Sequence, residues 1–329
     1  MAVSTTRRTW IRRLVTWGLT IVLLAWVFQK VPLAQTWTAL RAAGPAAVVG
    51  LTLVYFAYSF AADVVATWAT FGWFCAPLRL LDVFGIRGAT YLLAVVNYNL
   101  GQGGIVYVVG KQSGVGIARA TGTVLLTMGV MFVSLLMLAA LGSWTGNPSE
   151  HRLWLMRWIS TGGLAAFAAY LLIIAVQPAL LARREVFRPL FEAGVTGHAK
   201  AWVVRFPHVA GHVVFQWALL QVFGVRVPFS DAATLLPVTF VITWIPITVQ
   251  GLGTSQVATI ELFSRYATGT TLEERNAQVL GFSLALSATF LVYSLVAGLA
   301  CLRTPIARSA LLAGREPQAS SDRMRGGDA

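Results

Sequence analysis

Eight long stretches with few or no charged residues dominate the chain. A helix needs about 20 consecutive apolar residues to cross the hydrocarbon core of a membrane. Only 11% of the residues are charged, compared with about 25% in an average soluble domain. The sequence therefore predicts an all-α polytopic membrane protein, with one membrane domain over residues 1–303 and a cytoplasmic, largely disordered tail over residues 304–329. The stretches cover residues 14–29, 42–78, 88–110, 120–149, 158–182, 206–225, 232–260 and 276–302.

Two of these stretches contain helix-breaking residues in their middles. Residues 97–104 read NYNLGQGG, and residues 246–253 read PITVQGLG. In hydrocarbon every backbone amide needs a hydrogen-bond partner, so such a break is tolerated only where it is buried in protein or lines a wet cavity. The breaks predict two re-entrant broken-helix hairpins that face the interior, beside about six full spans. Two kinked but ordinary spans are the alternative, because Gly and Pro are common in membrane helices.

The two breaks stand at equivalent places in two similar halves of the chain. Gly101 and Gly103 precede Gly251 and Gly253 by 150 residues, and the same order of spans surrounds each pair. Each half would contain three full spans, an odd number, so the second half would be inverted relative to the first, as in many secondary transporters. The predicted repeats cover residues 12–144 and 157–303.

The positive charge of the chain indicates its orientation. The formal net charge is +13, and in membrane proteins Lys and Arg collect on the cytoplasmic side. Re-entrant hairpins place more of the 25 Lys and Arg residues on that side than fully crossing ones would. We expect cytoplasmic termini, the inner membrane of a prokaryote, and no nucleic-acid partner. The basic residues expected in cytoplasmic segments include Arg87, Lys111, Arg119 and Arg205.

The residues of the two breaks form the predicted substrate site. A re-entrant hairpin exposes the N-terminal end of a half-helix, whose free N–H groups and partial positive charge suit an anion. Glycines let a lipid phosphate approach the backbone, and amides and hydroxyls supply hydrogen bonds. Alternatively, the polar side chains only satisfy the broken backbone. The predicted substrate-binding residues are Asn97, Asn99, Gly101, Gln102, Gly103, Gly104, Pro246, Thr248, Gln250, Gly251, Gly253, Thr254, Ser255 and Gln256. The predicted headgroup contacts are Lys111 and Arg119.

Three ionisable residues within apolar stretches are candidates for coupling. Asp63 is the only acid deep in such a stretch, where a charge is costly unless it is paired or hydrated. His208 and His212 are four residues apart, so they share one face of a helix. We expect a polar relay or a carboxylate–imidazole pair. The alternative is that Asp63 hydrogen-bonds locally near the cytoplasmic boundary while the histidines cap a polar helix face.

The two breaks resemble motifs of a known family. Residues 97–104, followed by Lys111, and residues 246–253 are similar to the paired motifs of the flippase-like membrane domain of lysylphosphatidylglycerol synthases and of stand-alone homologues. The resemblance extends over residues 12–303 and implies movement of a lipid or lipid-linked substrate. Ile105 and Gln256 stand where the family often has acids, which puts any role of those acids in doubt. We expect no counterpart of the synthase domain.

These observations predict a flippase-like translocator of a phospholipid or lipid-linked substrate, with an anionic or phosphate-bearing membrane lipid as its partner. A non-transporting accessory subunit that binds lipid or a lipid- or glycan-modifying enzyme is the alternative. The sequence has neither a His-Glu-x-x-His zinc motif nor a Gly-rich nucleotide loop. We therefore expect no enzyme activity, no metal and no cofactor.

Overall fold

The described part of the chain folds into twelve α-helices joined by short turns. The computed structural model describes residues 18, 20–29, 31–146, 151–245, 248 and 251–304. The helices are α1 (Thr20–Gln29), α2 (Leu33–Ala42), α3 (Pro45–Phe74), α4 (Leu80–Val96), α5 (Tyr98–Gln112), α6 (Ile117–Thr145), α7 (His151–Val176), α8 (Ala179–Ala182), α9 (Arg188–Val222), α10 (Phe229–Trp244), α11 (Thr254–Phe263) and α12 (Leu272–Cys301). The predicted substrate-binding residues Pro246 and Gln250 lie outside the described residues, as does the predicted tail beyond Thr304.

Four helices are long and apolar enough to cross a membrane. They are α3, α6, α7 over Arg152–Val176, and α12. Each has between 25 and 30 residues, and at 1.5 Å per residue each is longer than the roughly 30 Å hydrocarbon core. The prediction of an all-α protein with helices that could span a membrane is therefore confirmed, and the described residues contain four such helices.

Helix α9 is longer than these four but more polar. It has 35 residues and bends at Gly194, whose φ is 57°. The uncharged stretch 206–225 covers only its second half, because Arg205 lies inside the helix. Likewise α4 begins at Leu80, before the uncharged stretch 88–110, and contains Arg87. The uncharged stretches therefore predicted the first residues of α4 and α9 too far toward the C-terminus.

Helices α4 and α5 form a hairpin at the first predicted break. The backbone of Asn97 is extended, with φ −162° and ψ 134°, and its side-chain oxygen accepts a hydrogen bond from the Asn99 amide at 2.9 Å. Such a cap satisfies one of the free N–H groups at the start of a helix. The two helices then pack against each other, and Gly104 lies so close to Thr90 and Leu93 that a Cβ there would be 2.7 Å from Leu93 Cδ1.

Helices α10 and α11 form a second hairpin around the other break. Gly251 and Gly253 in the connection have φ of 72° and 90°, a left-handed conformation that glycine adopts without steric cost. A short antiparallel bridge between Val225 and Ala267 joins the segments that precede α10 and follow α11. The chain therefore enters and leaves this hairpin at neighbouring points.

Glycines allow the long helices to approach each other closely. Helix α3 packs along α9, α6 along α9 and α10, and α12 along α4. At three of these contacts a glycine faces its neighbour directly: Gly211 on Tyr58, Gly88 on Cys301 and Gly142 on Ser230. Membrane helices pack through such small residues because lipid provides no hydrophobic driving force between them.

We expect Gly142→Ala to destabilise the fold. The added Cβ would lie 2.3 Å from the backbone oxygen of Ser230, and backbone cannot move aside as a flexible side chain can. The expected loss in the free energy of unfolding is about 1–3 kcal/mol, measured by thermal unfolding in detergent. Gly129→Ala in the same helix is the control, because nothing lies within 4 Å of the added atom. Equal stability of the two variants would contradict the α6–α10 contact.

Candidate functional site

A cavity of about 290 Å³ lies among the long helices and the two hairpins. Its apolar wall includes Phe71, Ile105 and Met131, and its polar residues come from α3, α4, α5, α6, α9, α10, α12 and the start of α11. Binding cavities in proteins commonly combine such an apolar wall with a few converging polar groups. The polar and aromatic residues that line it include Tyr55, Ser59, Asp63, Thr67, Arg87, Tyr91, Tyr98, Gln102, Arg205, His208, His212, Gln216, Trp244 and Ser255.

An ion cluster of Asp63, Arg87 and Arg205 occupies one part of this wall. Arg205 Nη1 donates to Asp63 Oδ1 at 2.6 Å, and Arg87 Nε donates to Asp63 Oδ2 at 2.6 Å. Asp63, Arg87 and Arg205 are only 2%, 7% and 2% exposed. A buried charge costs several kcal/mol unless it is paired, so each carboxylate oxygen having its own guanidinium explains how Asp63 is accommodated.

Neighbouring side chains complete the cluster. Tyr91 O–H donates to Asp63 Oδ2 at 3.4 Å, and the Arg87 guanidinium lies 5.5 Å from the centre of the Tyr91 ring, within the range of a cation–π contact. Arg205 Nη2 donates to Thr67 Oγ1 at 3.3 Å. Residues of α3, α4 and α9 thus meet at one carboxylate.

The sequence suggested that the two arginines are loop residues, but they are not. Arg87 and Arg205 lie inside α4 and α9 and face the cavity. The Asp63 carboxylate hydrogen-bonds with these two arginines, whereas the imidazoles make other contacts. A guanidinium matches a carboxylate geometrically and is always charged, which favours this pairing.

The histidines instead form a chain of hydrogen bonds across the α3–α9 interface. His208 Nδ1 lies 3.0 Å from the Ser59 backbone oxygen, and because a carbonyl only accepts, this nitrogen donates. His208 Nε2 is then the acceptor for His212 Nε2, at 3.1 Å. His212 Nδ1 in turn accepts from the Tyr55 hydroxyl, whose oxygen accepts from Gln216 Nε2 at 3.1 Å. With both imidazoles neutral, one choice of tautomers satisfies every contact.

This chain predicts the tautomers of two histidines. In protein labelled with ¹⁵N-histidine, we expect His208 to carry its proton on Nδ1 and His212 on Nε2. Tyr55→Phe removes the donor to His212 Nδ1, so only the His212 signals should shift strongly. The matched control is Tyr170→Phe, which removes the 2.7 Å contact to His198 Nε2 elsewhere. Unchanged His212 resonances in Tyr55→Phe would contradict the chain.

At the first break only part of the predicted site reaches the cavity. Gly101 and Gln102 line it, whereas Asn97 caps α5 and Gly104 packs on α4. Gly103 has no atom within 4 Å of the position of a Cβ and is not among the lining residues.

The tip of the first hairpin touches the end of α10. Asn99 Nδ2 donates to the Trp244 backbone oxygen at 3.2 Å. The rings of Tyr98 and Trp244 stack, with their centres 5.6 Å apart and their planes 16° apart. The two broken elements therefore meet beside the cavity.

At the second break most of the described polar side chains hydrogen-bond with the local backbone. Gln256 Oε1 accepts from the Gly253 amide at 2.6 Å, and its Nε2 donates to Ser287. The hydroxyls of Thr254 and Ser255 both donate to the Gly251 carbonyl. The hydroxyls of Thr248 and Thr254 lie 3.1 Å apart. Among the predicted substrate-binding residues of the second break that the structure describes, only Ser255 lines the cavity.

Lys111 and Arg119 lie at helix ends away from the cavity lining. Lys111 is exposed near the end of α5. Arg119 forms an ion pair with Glu192 at 2.6 Å, and Glu192 also pairs with Arg188. The structure therefore places neither predicted headgroup contact at the cavity.

The arginines and tyrosines of the cavity are the site residues that sequence reasoning missed. Arg87 and Arg205 stand at the edges of uncharged stretches and were counted as loop residues. The available signal was Asp63 itself, because an acid inside a membrane generally has a basic partner. Among the described residues there is no group of three or more His, Cys, Asp or Glu side chains that could hold a metal.

Comparison of the chain with models of known protein families gives no match, and comparison with curated proteins gives no significant one. The resemblance at the two breaks therefore rests on the motifs themselves.

Proposed function

We propose that this chain moves a phospholipid or lipid-linked substrate across the cytoplasmic membrane of a prokaryote through the cavity. The observation that carries the proposal is a cavity lined by a buried ion cluster between helices long enough to span a membrane. Ionisable residues inside membrane domains mark substrate or ion pathways. The apolar part of the wall suits an acyl or prenyl chain, and the motif resemblance favours a lipid over a small solute.

In this proposal the two hairpins are re-entrant. Helices α4 and α5 have 17 and 15 residues, so each is about 25 Å long or less, shorter than a typical hydrocarbon core. The bridge between Val225 and Ala267 supports entry and exit of the second hairpin on one side of the membrane. Their contact through Tyr98 and Trp244 then falls within the membrane.

We further propose that the two halves are inverted repeats. Under such a symmetry α4 is equivalent to α10, α6 to α12, and α3 to α9. The packing supports this assignment, because α12 lies on α4 while α6 lies on α10, and α3 lies on α9. Close glycine contacts occur at both equivalent interfaces, at Gly88 and at Gly142. Inverted halves of this kind allow a central site to open alternately to the two sides.

Asp63, His208 and His212 are the proposed coupling groups. The hydrogen-bond chain of the histidines runs along the same α3–α9 interface as the ion cluster. Histidine is the side chain that most readily gains a proton near neutral pH. A proton bound there would change the charge of the cavity wall and hence its affinity for a charged substrate.

A non-transporting accessory subunit is the second candidate. One observation favours it: Gln256, which replaces an acid common in the resembling family, is buried and fully engaged in holding the second break together. If the polar groups of a site serve to hold its backbone together, the site can bind a lipid or a partner protein without transporting it.

Filling the cavity tests the proposed function. Thr127 lines the cavity, and its hydroxyl bonds only its own helix, at the Thr123 carbonyl. We expect Thr127→Leu to slow lipid movement at least tenfold, because the larger side chain occupies the path. Thr121→Leu is the matched control in the same helix: its hydroxyl makes the same type of bond, to the Ile117 carbonyl, and it is not a lining residue.

The measurement is the movement of fluorescent anionic and zwitterionic lipids in proteoliposomes that contain purified protein. Equal movement with both variants would place the path elsewhere. If folded wild-type protein moves none of the lipids, the translocator proposal fails and the accessory proposal is favoured.

A further inference from the structure

The charges of the cavity wall do not balance. Among the described residues that line it, Arg87 and Arg205 are cationic and Asp63 is the only acid. The hydrogen bonds of His208 and His212 are all satisfied by neutral imidazoles. With both imidazoles neutral, the wall carries one net positive charge.

This excess charge is held away from water. All three members of the cluster are more than nine-tenths buried, and both oxygens of the Asp63 carboxylate are already engaged. An uncompensated charge in such surroundings is costly, and a bound anion removes that cost. The cluster thus favours a ligand that brings one negative charge.

Two buried donor groups on residues that line the cavity have no hydrogen-bond partner in the part of the chain that the structure describes. Arg205 uses Nη1 and Nη2 for Asp63 and Thr67, while its Nε has no hydrogen-bond partner among the described residues. The Ser59 hydroxyl, one helical turn before Asp63 on α3, likewise has none. Guanidinium and hydroxyl groups are common donors to phosphate and carboxylate oxygens.

We propose that the cavity binds a lipid headgroup of one net negative charge, a phosphodiester monoanion, and selects it by charge number. This inference rests on the proposed function and names its substrate class. A zwitterionic headgroup leaves the excess charge of the wall uncompensated, and a dianionic phosphomonoester overcompensates it. Only the monoanion makes the occupied cavity neutral.

Equilibrium binding tests this selection without requiring transport. The full chain is purified in a neutral detergent, and binding of radiolabelled phosphatidylglycerol is competed with phosphatidic acid, phosphatidylcholine or inorganic phosphate at pH 8. We expect phosphatidylglycerol to bind at least tenfold more tightly than the other two lipids, and millimolar inorganic phosphate not to displace it. Displacement by inorganic phosphate alone would identify a free-anion site and overturn the lipid assignment.

Variants that change the charge of the wall should change the preference. Asp63→Asn raises the net charge to about two and should favour phosphatidic acid, while Arg205→Gln removes the excess and should lower phosphatidylglycerol binding at least tenfold. The double variant Asp63→Asn with Arg87→Gln returns the charge to one, so we expect it to regain the preference for phosphatidylglycerol.

Glu192→Gln is the matched control. Glu192 is also an acid between two arginines, Arg119 and Arg188, but it lies outside the cavity lining, so its neutralisation should not alter lipid preference. If the double variant, shown to be folded, keeps the preference of Asp63→Asn or binds no lipid, the cluster is structural and the inference is wrong.

Different results would refute the translocation proposal and the charge-selection proposal. Binding that follows the charge of the wall without lipid movement in proteoliposomes refutes translocation and leaves the charge selection standing. Lipid movement that is equal for monoanionic, dianionic and zwitterionic lipids refutes the charge selection and leaves translocation standing.

Discussion

The Asp63 carboxylate is the point on which the interior of this protein depends. Its two oxygens receive guanidinium groups from two different helices, one on the first hairpin and one on the bent helix α9. Removing the carboxylate would leave two buried cations without a partner, whereas removing one arginine would leave a single ion pair between Asp63 and the other. The cluster therefore links α3, α4 and α9 to one another at the wall of the cavity.

Glycines and polar side chains have separate roles around this cluster. Gly88, Gly142 and Gly211 bring helices into contact, whereas the amides and hydroxyls at the breaks mainly replace hydrogen bonds that the helices lose there. Asn97 and Gln256 both cap the helix that follows a break. In the described parts of the breaks, these side chains therefore contribute to the satisfied backbone that a membrane requires.

The sequence was informative where a residue is incompatible with its surroundings. Asn97 and the following glycines interrupt an apolar stretch, and the first hairpin turns at that point. Asp63 is an acid in an apolar stretch, and it lies at the centre of the ion cluster.

The partners of Asp63 could not be predicted, because Arg87 and Arg205 come from segments 24 and 142 residues away. In addition, a charged residue at the edge of an apolar stretch resembles a loop residue. The contact between Asn99 and Trp244 likewise depends on packing between distant segments, which no local pattern encodes.

The hydrogen-bond chain through the histidines has a direction, and both of its ends are closed. It begins at the Gln216 amide, which does not give up a proton, and it ends at the Ser59 carbonyl, which has none to pass on. Under the proposed coupling role, a proton taken up by the imidazoles would therefore return to the cavity and not pass along the chain. The histidines would then hold a proton, and movement of the helices would carry it between the two sides of the membrane.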